Sequence, residues 1–435
     1  MRQIRRALYA LVFVSCVAAA QQATTAAPAP IVIKAAHLFD GRTGQMRSDG
    51  IVVVQGSKIV GVGSAASIPP GARVIDLGNA TLLPGFIDAH VHLTMQMEGN
   101  WYQQFYQDQM RFPADAALHA VPYAERTLRA GFTTVRNVGS EDFADIGLRN
   151  AIRDGAILGP RILGAGHAIG SAGGHCDQSP FPPDKVKPAG PIEGICSGPD
   201  ECRAAVRYQM KWGADVIKIC TSGGVLSETD PVDVPQLTPA ELTAIMSEAH
   251  AWKRKVAAHS HGDLAARQAI DAGVDSIEHG SFLTDETFRL MKEKGVYLVP
   301  TRLASYWTIQ SVDRYPPQIA AKARAAAAAS SDAFKRALKI GVPIAFGTDS
   351  GVSPHGRNAM EFGLMVDLGM SPANALLAGT REAAKLLGVD AETGTLEPGK
   401  LADIVAVPGN VLEDIHATER PAFVMKQGQV IVGGQ

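Results

Sequence analysis

Side chains able to hold a metal ion or move a proton recur at the ends of short apolar runs. They are His90 and His92 in "GFIDAHVHL", Lys218 in "VIKIC", His259 and His261 in "AAHSHG", His279 in "SIEHG" and Asp349 in "AFGTDSG". Residues two apart on a strand share a face, so His90 and His92 point the same way. Neutral imidazoles held side by side are strong ligands for zinc-like cations, although two packed core histidines would give the same pattern. Lys218 shares a face with Val216 and Cys220. A charged amine there is costly to bury unless it snorkels to a rim. Taken singly, Asp349 reads equally as a turn cap and His279 as a packed ring. Seven such groups, at the ends of five strands, argue together for a metal centre, because buried polar groups without partners destabilise a fold.

The elements that must carry these residues lie between about 81 and 390. Short apolar runs such as "TTVRNVG", "RILGAGHAI", "GVYLVPT" and "PIAFGTDSG" alternate there with amphipathic stretches such as "TPAELTAIMSEAHAWKR". That alternation is the pattern of parallel βα units. Eight strand candidates predict an α/β fold, a (β/α)8 TIM-type barrel whose strand ends gather the catalytic groups. A doubly wound open sheet is the competitor, weakened because no Gly-rich phosphate loop follows the first strand. Residues 31–80 and 391–435 are instead β-rich and Gly-punctuated, which predicts a small β-sandwich domain built from both chain ends. The stretch from Gly170 to Cys202, rich in Pro and Gly, reads as an insertion long enough to reach over the barrel mouth.

The chain has 435 residues, 46% of them hydrophobic and 19% charged, with a formal net charge of -2. That balance gives no electrostatic case for nucleic acid or acidic lipid, and it points to a small-molecule or short-peptide substrate. Arg2, Arg5 and Arg6 precede an apolar run from Ala7 to Ala20. Residues 1–20 therefore read as a signal peptide, too short to span a bilayer, and 21–30 as a flexible leader. Export to the periplasm or beyond is the expectation, with lipid attachment at Cys16 as an alternative. Export permits disulfides among Cys176, Cys196, Cys202 and Cys220. Cys176 and Cys196 bracket the Pro- and Gly-rich loop and are able to close it, but pairing is not readable from sequence.

The sequence resembles the amidohydrolase superfamily over nearly everything after the leader, through "LLPGFIDAHVHL", "GFTTVRNVG", "GADVIKI", "AAHSHG", "SIEHGS", "FGTDSG" and "GTLEPGKLADIVAV". Within it the chain is similar to the secreted Xaa-Pro dipeptidase and imidazolonepropionase-like branch, which includes amidohydrolases that cleave ochratoxin. The resemblance implies two divalent metal ions, zinc being usual. His90, His92 and Asp349 would hold one, and His259 and His279 the other. Lys218, carboxylated on Nζ, would bridge them. It further implies that a metal-activated water attacks an amide carbonyl, with Asp349 taking the proton and returning it to the leaving amine. His167, in "GAGHAIG", is a candidate to assist at the carbonyl, or else a loop histidine without function. Relatives of this kind are commonly homo-oligomers.

Substrates of this branch with a free C-terminal carboxylate need a cationic partner. Arg302 in "VPTRLASYW", His261 and Arg136 are the candidates, Arg302 first because it follows the seventh strand candidate. Tyr306 and Trp307 are able to line an apolar pocket or simply pack a helix face. Two departures from the family pattern lie near the substrate. Asn137 stands where relatives often have Asp, and "GGHCDQ" carries an unusual cysteine. The reading is an exported binuclear metallohydrolase of dipeptides or N-acyl amino acids, ochratoxin A among them. A cyclic-amide or imidazolone hydrolase, and a catalytically silent binding relative, are the alternatives.

Overall fold

Five apolar runs near the start of the chain become strands because β-branched residues alternate between Gly and Asp turns. They are β1 (Ile31–Asp40), β2 (Gln45–Gln55), β3 (Lys58–Val62), β4 (Arg73–Asp76) and β5 (Ala80–Pro84). The computed structural model describes residues 29–434, apart from 64–67, 98–99, 178–183, 186 and 229. The signal peptide, most of the leader and Cys16 lie outside the described residues.

The middle of the chain supplies β6 (Phe86–Val91), β7 (Phe132–Asn137) and β8 (Arg161–Gly164), a parallel three-stranded sheet. Two short strands follow, β9 (Gly170–Ser171) and β10 (Ile195–Cys196), paired with each other. Next come β11 (Ile217–Cys220), β12 (Val256–Ser260), β13 (Ser276–His279) and β14 (Tyr297–Val299), a parallel four-stranded sheet. Helices separate most of the parallel strands, as the amphipathic stretches predict. Pro239–Ala251 begins where Thr238 accepts from Glu241 N while the Glu241 carboxylate accepts from Thr238 N, a reciprocal cap written in "TPAE".

The two parallel sheets are connected at their edges. Ile169 bridges Ile219, and Asp215 N donates to Gly164 O at 2.8 Å. On the other side Leu298 bridges Ile344, and Val91 bridges Ser350. The run 344–350, expected as an eighth strand, forms isolated bridges, Ser350 to Ser353 besides these two, and its backbone turns at Asp349, where φ is 59°.

The chain ends meet in one sheet. β15 (Ile404–Pro408) pairs antiparallel with β5, and β16 (Phe423–Lys426) and β17 (Gln429–Val432) extend it. Ile33, Leu38, Val54, Leu82, Ile404 and Phe423 make its core. Among the described residues no helix is long and apolar enough to cross a membrane.

The cysteines pair as Cys176–Cys220 and Cys196–Cys202, not across the Cys176–Cys196 loop. Pairing of β9 with β10 sets Cys196 beside the helix Pro199–Lys211, whose first turn presents Cys202. Cys176 is left to reach the end of β11.

Candidate metal centre

His90 sits in β6 and His92 just beyond it. Their Nε2 atoms lie 3.4 and 3.3 Å from the same atom, Asp349 Oδ1. Asp349 is fixed at its left-handed backbone position by donating its N–H to His90 O at 2.7 Å, while His92 N donates to Ser350 O at 2.7 Å. Below them, buried Asp88 accepts from His90 N, Thr348 N, Thr348 Oγ1 and Asn358 Nδ2 at 2.6–3.1 Å. Burial raises its pKa to about 6 despite these donors. One carboxyl group thus laces β6 to the turn that carries Asp349.

The ends of β12 and β13 bring a second group together. Ligand atoms of His259, His261 and His279 all lie within 4.8 Å of one another, as do those of His90, His92 and Asp349. The groups abut, since the His90 and His279 ring centroids are 5.1 Å apart. Lys218, buried in β11, stands in the same electrostatic environment. Burial pushes its amine down to about 8, against the pull of Glu278 and Asp349. Burial also holds His259 and His279 well below the usual imidazole range, with the neighbouring imidazoles opposing a second charge. Asp349 stays ionised well below the carboxylate range: burial opposes its charge, and His90 and His92 outweigh it.

Each of the five rings is tied outward through one nitrogen. His90 Nδ1 meets Glu278 Oε2 at 2.7 Å, His92 Nδ1 meets Gly139 O at 3.3 Å, and His259 Nε2 meets Gly223 O at 3.1 Å. His261 Nδ1 meets Ser281 Oγ at 2.8 Å, and His279 Nδ1 meets Thr301 Oγ1 at 2.7 Å. A carbonyl or carboxylate partner accepts, so it fixes the proton on the outer nitrogen and leaves the inner one as a lone pair. Imidazoles, one ionised carboxylate and an easily neutralised amine, buried or half-buried together, are a donor set that suits divalent cations.

Other candidates are placed differently. Arg136 is 1% exposed and points inward, donating from Nε to Ala89 O, from Nη1 to Ser276 Oγ and from Nη2 to Glu278 Oε1 at 2.8 Å. Each of its three nitrogens thus has a partner inside the protein. Arg302 is buried too, with Nη1 on Ser330 Oγ and Nη2 on Ser331 Oγ at 2.8 Å, both in the helix Pro317–Ile340. His167 accepts from Asp142 N at 3.1 Å and packs edge-on against Phe143, so its ring is engaged in that turn. Asn137 accepts from Leu93 N and donates toward Asp145, which is a structural role. His261 joins the histidine cluster. Tyr306 is partly exposed on the helix Arg302–Gln310.

Three contributors escape the sequence reading: Asp88, Glu278 and His175. His175 rides on the insertion beside Cys176, and its ring stacks on His259 at 4.2 Å. Its Nδ1 meets Ser227 Oγ at 3.1 Å, and its backbone N–H donates to Gln236 Oε1. Gly224 makes room for it, since a Cβ there would lie 2.1 Å from the ring. The unusual cysteine of "GGHCDQ" was the available signal.

A model of the amidohydrolase family matches residues 81–433. The chain belongs to that family and is a hydrolase acting on carbon–nitrogen bonds. It is 34% identical over 429 residues to ochratoxinase from Aspergillus niger, covering 92% of this chain and 86% of that protein. The solved structure of that enzyme superposes with a TM-score of 0.85 at 32% identity, over 93% of this chain and 96% of the other. A Xaa-Pro dipeptidase solved with methionine bound in its active site gives a TM-score of 0.89 at 39% identity, over 93% of this chain and 100% of the other. Imidazolonepropionase from Rhizorhabdus wittichii is 26% identical over 407 residues, 86% of this chain and 89% of that protein.

Proposed function

We propose that the chain is an exported, homo-oligomeric, binuclear zinc amidohydrolase. Its substrates would be dipeptides or N-acyl amino acids with a free C-terminal carboxylate, ochratoxin A among them. The observation that carries this reading is the set of five imidazoles tethered by their outer nitrogens around Asp349 and Lys218. Bridges at both edges of the parallel sheets support a closed eight-stranded barrel, with 81–390 as the barrel domain and 31–80 plus 391–435 as the sheet domain. Two disulfides suit an oxidising compartment.

In this reading His90, His92 and Asp349 hold one ion, and His259 and His279 the other. Lys218, whose amine burial brings down to about 8, would add carbon dioxide, lose a proton and offer carbamate oxygens to both ions. Bound ions would polarise the scissile carbonyl and lower the pKa of the attacking water. Asp349, ionised and fixed beside both Nε2 atoms, takes the proton of that water and returns it to the leaving amine. His175, stacked on His259, adds an imidazole at the edge of the metal centre.

Arg136 is paired with Glu278, and Arg302 is buried against Ser330 and Ser331 with its Nε lacking a hydrogen-bond partner among the described residues; a third cation lines a cavity. A cavity of about 320 Å³ opens between the chain segments after β6, after β14 and after Asp349. Trp307, Tyr315, Met97 and Val352 give it apolar walls, and Arg314 gives it a cation. Val352 N donates to Asp349 O at 3.0 Å, which places this wall beside the site. We assign Arg314 the carboxylate and the aromatic wall the side chain. Burial of both expected arginines favours cyclic-amide hydrolysis as the second reading, since that reaction needs no carboxylate clamp.

Metal analysis should find about two ions per chain. Lys218→Ala should lose bound metal and turnover, with partial rescue by short-chain carboxylic acids; full activity in that variant would end the bridging role. Arg314→Ala should raise KM at least about tenfold for dipeptides and leave their C-terminal amides unaffected. Equal effects on both, with turnover of cyclic amides, would select the second reading.

A further inference from the structure

The parallel strands start, at the end remote from the metal ligands, around a cavity of about 400 Å³. Arg136, Arg149, Arg161, Lys253, Arg254 and Lys255 line it, with Asp215 as the lining carboxylate. Arg161 opens β8, Asp215 precedes β11, and 253–255 precede β12. The cavity therefore lies at the floor of the strand array. Barrel floors are ordinarily closed by branched aliphatic side chains. A cluster of cations is an expensive substitute unless counter-charge is present.

The counter-charge within the protein is incomplete. Arg136 pairs with Glu278 at 2.8 Å, Arg149 with Asp215, Arg161 with Asp403 at 3.1 Å, and Lys255 with Asp275 at 3.4 Å. Arg254 has only a backbone partner, donating from Nε to Ala214 O at 3.1 Å. Lys253 has no carboxylate partner among the described residues. Arg161 Nη2 is buried with no hydrogen-bond partner at all. Beside Arg161, burial and that guanidinium push the Lys426 amine down to about 8. An excess of positive charge thus gathers in one cavity of a chain whose net charge is -2.

We propose that this floor cavity binds a small multivalent oxyanion: inorganic phosphate, a phosphate monoester or a compact polycarboxylate. Forked guanidinium donors suit such oxygens, and Lys253 and Arg254 supply the unmatched charge. The site is distinct from the metal centre, because its lining cations other than Arg136, which reaches Glu278 behind His90, stand at the opposite ends of the strands.

The test is thermal unfolding and equilibrium dialysis of the metal-loaded protein with inorganic phosphate, against chloride at equal ionic strength. Phosphate at about a hundredfold excess over its Kd should raise Tm by at least ~2 °C. Lys253→Gly combined with Arg254→Gln should weaken phosphate binding at least tenfold. Lys253 has φ 56°, a backbone position that glycine takes without strain, so Lys253→Gly alone serves if the double variant folds poorly, with a smaller loss expected. Lys218→Ala, impaired at the metal centre, should bind phosphate as the parent does. Phosphate monoesters and citrate should compete with phosphate. Absence of binding, or binding that survives the floor variants but disappears in Lys218→Ala, would overturn the proposal.

Discussion

Glu278 shows how much of a metal site lies behind its ligands. One carboxylate oxygen takes His90 Nδ1, and the other takes Arg136 Nη2. Burial opposes the Glu278 charge, and Arg136, then His90, outweigh it and bring the pKa down to about 2. Glu278→Gln would keep the shape but offer His90 a weaker acceptor and leave Arg136 uncompensated. Outer partners of this kind are worth 10–100-fold in metal affinity, so chelator competition should show a loss of that size. An unchanged affinity would make the pair purely structural. His90, His92, Lys218, His259, His279 and Asp349 were legible because alternation and strand ends place such residues by local rules. Glu278 was not, since alternation assigns it and His279 to opposite faces. The left-handed backbone of His279, φ 71°, brings its ring round to the same side. Arg136 and Arg302 show the same limit: a basic residue near a strand end has an identity in sequence, but its partner has only a place in space.

Among elements, the insertion is the least predictable. Cys176–Cys220 fastens it to β11 two residues from Lys218, and His175 is thereby pressed onto His259. The segment facing it is braced from the helix Pro317–Ile340, where Lys322 Nζ donates to Gly224 O at 2.9 Å and Asp230 O at 3.0 Å. Cys176→Ser should raise KM several-fold while leaving metal content near the parent's. Loss of metal would mean instead that the bridge supports the ligands. The two bridges should differ in stability. Cys176–Cys220 closes 44 residues and Cys196–Cys202 closes 6. Chain entropy alone gives about 4 against about 2 kcal/mol, to be read as denaturation midpoints of the single Cys→Ser variants. Helix boundaries were far easier to anticipate than this pairing, because a cap such as Thr238 needs only neighbours three residues away.

At the scale of the whole molecule, the sheet made by both ends is the feature with the widest reach. β5 is hydrogen-bonded on one side to β1 and on the other to β15, from Thr81–Val407 to Pro84–Ile404. Deletion of 404–435 would bare one side of β5 and expose Leu82, Leu83 and the Ile33–Val54 core. Such a chain should lose cooperative thermal unfolding by circular dichroism, and a sharp transition near the parent's would show the barrel to be autonomous. The alternating character of both ends predicted such a sheet, but the β5–β15 contact was not readable, since nothing local marks a partner some 320 residues away. A ribosome making this polypeptide must therefore release β15 before β5 finds its second neighbour. Until then the N-terminal hairpins are an open invitation to proteases and to self-association, so the order of synthesis itself is a hazard that this architecture imposes.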